Sequence, residues 1–242
     1  EYIPGGELFS HLRQEGVFDA AKTSNHFLIQ FLYISSCTYF RIFTPKGYNL
    51  PRSEAENILI AKDGYIKLTD FGFAKKIENR TFTLCGTPEY LAPSFTEQGH
   101  GKPVDWWTLG VLLYEMLAGI DPFSDKDPMS VYHNILKGKL RFPKDFDQDG
   151  KSLIKHLLVS DLSKRFGNLK KVTNSYLGVN DIKSHRFLST IAFPSILSKK
   201  TQAPFIPTVK KDDVTSIFDR FDDSVTEAKP IESNLDPFLQ WL

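Results

Sequence analysis

At about 150 residues per domain, a chain of 242 residues makes one large domain or one and a half. Its 41% apolar and 24% charged residues match a folded soluble protein and exclude wholesale disorder. Thirty basic against twenty-nine acidic residues leave a net charge of +1, so no global field draws in nucleic acid or an anionic membrane. Two cysteines, Cys37 and Cys85, exclude a disulfide framework and fit a reducing compartment, cytoplasmic or nuclear. The opening residues show no signal-peptide pattern.

In chain order, a Pro4-Gly5-Gly6 turn leads into a short helix predicted from about Glu7 to Gln14, and the chain reads as if it begins in mid-fold. Residues 23–40 then run eighteen positions without a formal charge. A membrane span is rejected there, because Asn25, His26, Gln30, Ser35 and Ser36 would enter hydrocarbon and no cationic flank anchors the near end. Ile58-Leu59-Ile60 and Tyr65-Ile66-Lys67-Leu68, joined across Asp63-Gly64, give the clearest β-hairpin signal. Residues 104–117 are apolar almost all round and predict a central buried helix. Amphipathic helices are expected over 128–137 and 151–159. After about Phe193, prolines, acids and scattered aromatics without helical period predict an extended tail that wraps something.

Chemistry concentrates around the hairpin. Asp70-Phe71-Gly72 follows it directly, and Asn57 opens its first strand thirteen residues before Asp70. A hairpin so bracketed brings two hard oxygen ligands to one end of the strands, as Mg²⁺ bridging phosphates requires. Taken alone, each would be read as a solvated turn residue.

Longer motifs decide the matter. Thr81-Phe82-Thr83-Leu84-Cys85-Gly86-Thr87-Pro88-Glu89-Tyr90-Leu91-Ala92-Pro93, then Val104-Asp105-Trp106-Trp107, then Lys164-Arg165-Phe166-Gly167-Asn168 resemble a Ser/Thr protein kinase in order and separation. The resemblance is to the AGC group, whose C-terminal tail wraps the catalytic domain, and within it to the cyclic-AMP-dependent branch. It covers most of the chain apart from residues 22–55 and short interruptions. It implies a mainly helical α+β fold: the large (C-terminal) lobe with small β-hairpins over residues 1–193, and a tail with a hydrophobic motif over 194–242. The glycine-rich phosphate loop, the nucleotide lysine and its glutamate partner would all precede Glu1, so the small lobe is expected to be absent.

Residue by residue, the resemblance assigns Asn57 and Asp70 to Mg²⁺. It places Glu1, Ile3, Glu7, Leu59, Thr69 and Phe218 around ATP. Glu7, Glu56 and Glu115 match carboxylates that receive substrate arginines, a contact that charge-assisted bidentate hydrogen bonds make strong. Leu84, Pro88 and Leu91 match the apolar seat after the phosphorylated residue. Thr83 matches the activation-loop phosphosite, whose added charge would order the loop through basic partners such as Lys75. Phe238 and Trp241 match the hydrophobic motif. Implied partners are basic Ser/Thr protein substrates and a cAMP-binding regulatory subunit, with no nucleic acid.

The departures are as specific. Where the family has Tyr-Arg-Asp-Leu-Lys-Pro-Glu-Asn, the chain has Leu50-Pro51-Arg52-Ser53-Glu54-Ala55-Glu56-Asn57. Arg52 occupies the general-base position, Glu54 the position of the phosphate-facing lysine, and Pro51 that of the arginine that clasps a phosphorylated Thr83. Two charge reversals beside ATP should repel Mg²⁺ and abolish transition-state stabilisation, so nucleotide binding is expected to be weak or absent and the chain inactive. Ser94 stands where the Ala-Pro-Glu motif has its acid, which leaves Arg165 without its usual partner.

One reading unites these losses. Writing residues 48–55 as TAT AAT CTA CCG AGA TCT GAA GCC and starting one base later gives Ile-Ile-Tyr-Arg-Asp-Leu-Lys with Pro begun. Residues 40–44 as TTC AGA ATA TTT ACA give Ser-Glu-Tyr-Leu-His in the same register. Residues 22–55 therefore read as a shifted frame with about six surplus residues between Lys22 and Leu32, or else as true divergence into a non-catalytic pseudokinase scaffold. Residues 171–177 interrupt a second family segment similarly.

Overall fold

The computed structural model describes residues 2–23, 57–69, 92–93, 103–169, 179–189 and 191–207. Helix α1, Leu8–Glu15, turns Leu8, His11 and Leu12 inward at helical spacing. It ends at Gly16, whose φ of 81° a side chain would disfavour. A single turn, α2 (Ala20–Lys22), follows, capped by the Asp19 carboxylate accepting from the Lys22 N–H at 2.7 Å.

Strands β1 (Ile58–Ile60) and β2 (Ile66–Leu68) pair antiparallel with Ile58 opposite Leu68 and Ile60 opposite Ile66. The hairpin is thus where the alternation placed it, with Tyr65 falling just outside β2. β1 also joins the start of the chain: the Ile60 N–H donates to the Gly6 carbonyl at 2.9 Å, and Glu7 bridges Leu59.

Helix α3, Pro103–Ala118, is the axis of the core, with buried residues on every side from Val104 to Met116. An apolar circumference leaves such a helix no solvent face, and each fully buried large side chain contributes about 1.5–3 kcal/mol. The Trp107 ring stacks on Phe123 at 5.6 Å and 6°. Helix α4, Pro128–Lys137, begins at the Asp127 cap and stops at Gly138 in the left-handed region. Helix α5, Gln148–Leu157, packs on α3. Gly110 permits that approach, since a Cβ there would lie 2.8 Å from Leu158 Cδ2 and 2.9 Å from Leu157 Cβ. The sequence placed α5 over 151–159; the Asp147 cap, accepting from the Gly150 N–H, starts it earlier.

Beyond α6 (Asn180–Lys183) and a 3₁₀ turn at Arg186–Leu188, the chain forms α7, Phe193–Leu197. A short helix therefore precedes the extended course expected after about Phe193, with Pro194 in its first turn, where the missing N–H costs nothing. Residues 199–207 then run back over the hairpin. Tyr65 Oη donates to the Thr201 carbonyl at 2.8 Å, Lys199 Nζ meets Asp63 at 2.6 Å, and the Phe205 ring packs edge-on to His11 at 4.9 Å. Among the described residues, no helix is long and apolar enough to cross a membrane.

Candidate nucleotide and substrate site

The hairpin gathers part of the expected site. Asn57 and Thr69 close its open end: the Thr69 N–H donates to the Asn57 carbonyl at 2.9 Å, and Thr69 Oγ1 to the same oxygen at 3.2 Å. Pairing of β1 with β2 forces this meeting, because Ile58 lies opposite Leu68 and the next residue outward on each strand is Asn57 or Thr69. The Asn57 side chain is half-buried and Thr69 is exposed. Leu59 is half-buried in the middle of β1 and bridged to Glu7, which places the start of α1 beside the hairpin. Ile3 is buried.

Glu7 occupies the N-cap position of α1, but its side chain makes no capping bond. An acid there is favoured by the helix dipole without being consumed by it. Glu115 is buried in the last turns of α3 at 5% exposure. The two glutamates sit at opposite ends of one connection: α1 runs from Glu7 towards Phe18, whose N–H donates to the Met116 carbonyl at 2.8 Å, one residue from Glu115.

Glu1, Arg52, Glu54, Glu56, Asp70, Lys75, Thr83, Leu84, Pro88, Leu91, Ser94, Phe218, Phe238 and Trp241 lie outside the described residues. A cleft of about 500 Å³ opens at the other end of the hairpin, lined by Tyr2, Ile3, Pro4, Lys62, Lys67 and Lys199 among others. It shares only Ile3 with the expected nucleotide positions and is separate from the Asn57–Thr69 end.

Arg165, expected to lack its usual partner, lies within the described residues. The side chain is fully buried, donates through Nε to the Val159 carbonyl and through Nη1 to the Pro103 carbonyl, both at 2.8 Å, and lies over the Trp107 ring. Nη2 has no hydrogen-bond partner among the described residues. Desolvation pulls its pKa down to about 10.

Sequence reasoning did not single out His11, which is buried beside the Pro4-Gly5-Gly6 turn with Nε2 2.6 Å from the Gly5 carbonyl. Its i, i+3 spacing from buried Leu8 puts it on the inward face of α1 and is the sequence signal for it.

The protein kinase domain family matches residues 54–187, beginning inside the altered motif. The chain is 42% identical over 245 residues to the cAMP-dependent protein kinase catalytic subunit of Dictyostelium discoideum, covering 98% of this chain and 35% of that protein. It is 44% identical over 229 residues to the human cAMP-dependent protein kinase catalytic subunit PRKX, covering 91% and 59% respectively. A Drosophila melanogaster protein, cAMP-dependent protein kinase catalytic subunit 3, is 44% identical over 222 residues, covering 91% and 36%. The chain thus spans between about a third and three fifths of the length of these relatives. With more than half of its residues matched to the domain, the chain belongs to the protein kinase domain family, with AGC-type relatives among the cAMP-dependent catalytic subunits.

Proposed function

We propose that the chain is the large-lobe part of an AGC Ser/Thr protein kinase that keeps its metal and substrate carboxylates and has lost its general base. The parent reaction is transfer of the ATP γ-phosphoryl group to a Ser or Thr hydroxyl in a basic peptide. The observation that carries this reading is the Asn57–Thr69 closure of the hairpin, with Asp70 next in sequence and Leu59 bridged to Glu7.

The donor chemistry fits Mg²⁺ at two positions, since the Asn57 amide oxygen and the Asp70 carboxylate are hard oxygen ligands. When bound, Mg²⁺ neutralises the nucleotide phosphates. Ile3, Leu59 and Thr69, with Glu1 and Phe218, would enclose the nucleotide; Glu7, Glu56 and Glu115 would receive arginines, and Leu84, Pro88 and Leu91 would seat the residue after the target hydroxyl. Thr83 would be the activation-loop phosphosite. Arg52 cannot accept the hydroxyl proton at neutral pH, and Glu54 would face the phosphate with the wrong sign. Nucleotide affinity is accordingly weak and transfer is absent. Calorimetry with Mg·ATP tests this; a micromolar dissociation constant contradicts it.

A non-catalytic scaffold is the second reading, favoured by the retention of Glu7, Glu56 and Glu115 beside a lost base. It would bind basic peptides or a regulatory subunit in the cytoplasm or nucleus. Peptide binding that weakens in Glu7→Gln and persists without nucleotide supports it. A messenger sequenced across residues 22–57 separates the two: Tyr-Arg-Asp-Leu-Lys-Pro in place of residues 50–55 supports the shifted frame, and the codons of the chain as written support the scaffold.

A further inference from the structure

Six cations line the path from the end of α4 into α5: Lys137, Lys139, Arg141, Lys144, Lys151 and Lys155. The same stretch holds three carboxylates, and two are committed. Asp147 caps α5 by accepting from the Gly150 N–H, and Asp149 lies 3.0 Å from Arg186. Asp145 remains. Among the described residues, none of the six cations enters an ion pair, whereas Lys22, Lys164, Arg186 and Lys199 each do.

The cluster is held in place. Lys151 and Lys155, one turn apart on α5, bring Nζ to 5.1 and 5.9 Å from the centroid of one ring, Phe142. That ring is edge-on to Phe146 at 5.0 Å and lies 5.5 Å from Tyr114, whose hydroxyl donates to the Arg141 carbonyl. Leu140 and Phe142 pack against the core while Lys139 and Arg141, alternating with them, are exposed. Two ammoniums converging on one fixed ring, with two more cations projecting from the adjoining strand of chain, concentrate positive charge in a molecule whose net charge is only +1.

We propose that this surface docks an acidic protein segment, a run of Asp and Glu side chains that takes the charge-assisted hydrogen bonds these cations leave unused. Nucleic acid fits less well, because the patch's one ring, Phe142, lies beneath the ammoniums and against other aromatics and offers no face for base stacking. The apolar residues interleaved with the cations point into the core, so they do not supply the buried face of a membrane-adsorbing segment. The patch is opposite in sign to Glu7 and Glu115 and would serve a separate contact.

The test is fluorescence anisotropy of a labelled peptide of alternating Asp and Glu with the 242-residue chain at about 0.15 M ionic strength. Lys151→Gln/Lys155→Gln and, independently, Lys139→Gln/Arg141→Gln are each expected to weaken binding about tenfold. The second pair is exposed, so it answers the question even where the first perturbs the Phe142 packing. Lys62→Gln, at the hairpin turn, should change nothing. Absence of peptide binding, an unchanged affinity in both double variants, or an equal loss in Lys62→Gln overturns the proposal. So does tighter binding to a single-stranded oligonucleotide of equal charge or to phosphatidylserine vesicles.

Discussion

The Arg165 guanidinium lies 5.1 Å above the centre of the Trp107 ring, wholly buried, with Nη2 unpartnered among the described residues. A buried cation whose partner has been removed leaves an uncompensated desolvation cost, so Ser94→Glu should stabilise the fold by about 3 kcal/mol. The gain should vanish in an Arg165→Met background. Chemical denaturation of the four variants in the cycle checks it, and equal stability for Ser94→Glu and the parent chain would show that residue 94 does not reach Arg165.

A second outcome concerns pH. His185 Nδ1 accepts from the Phe187 N–H at 3.2 Å, and its Nε2 lies 3.1 Å from Ser152 Oγ, so the folded ring is neutral. Burial first, then the neighbouring His156 ring 5.9 Å away and Arg186, hold its pKa below 6.5, against the opposing pull of Asp149. The unfolded chain therefore binds the proton first. Stability should be full above about pH 6.5 and decline as pH falls towards the folded pKa. His185→Asn, which keeps a cap acceptor but does not titrate, should flatten that part of the profile; an undiminished decline assigns it to other groups.

Gly64→Ala should release the segment 199–207 from the hairpin. The residue has φ +78°, and a Cβ there would strike the Phe205 carbonyl oxygen and lie 2.5 Å from Ala203 Cβ. Strain and overpacking together should cost about 2–4 kcal/mol. Limited proteolysis should cut 199–207 faster in the variant, and parental resistance with parental stability would contradict this role for the hairpin turn.

The elements written in local pattern were legible. Residues 104–117 are apolar around the whole circumference, and Asp63-Gly64 separates two β-branched runs, so α3 and the hairpin followed from period and turn chemistry. The amphipathic period over 128–137 likewise matched α4. The course of residues 199–207 was not legible, because Tyr65–Thr201 and His11–Phe205 join positions far apart in sequence. The start of α5 lay earlier than its apolar period, because Asp147, Gln148, Asp149 and Gly150 carry no apolar side chain to extend that period.

Site chemistry was legible through motif rather than pattern. Glu7 and Glu115 were singled out by resemblance, and nothing in local periodicity distinguishes them from solvated acids, whereas Asn57 was marked by bracketing the hairpin with Asp70. The fold explains one relationship that motif alone could not: strand register forces Asn57 and Thr69 together at the end of the hairpin. The basic surface around Phe142 went unread because its cations are dispersed over nineteen residues and converge only when α5 folds back over the ring.

Transfer of radiolabelled γ-phosphate from Mg·ATP to an Arg-Arg-x-Ser peptide tests the central claim most directly. With Arg52 in the base position and Glu54 facing the phosphate, the chain should incorporate no more label than its Asp70→Ala variant. Incorporation above that control, dependent on the target serine, would contradict the account and show that another group on this chain positions the hydroxyl.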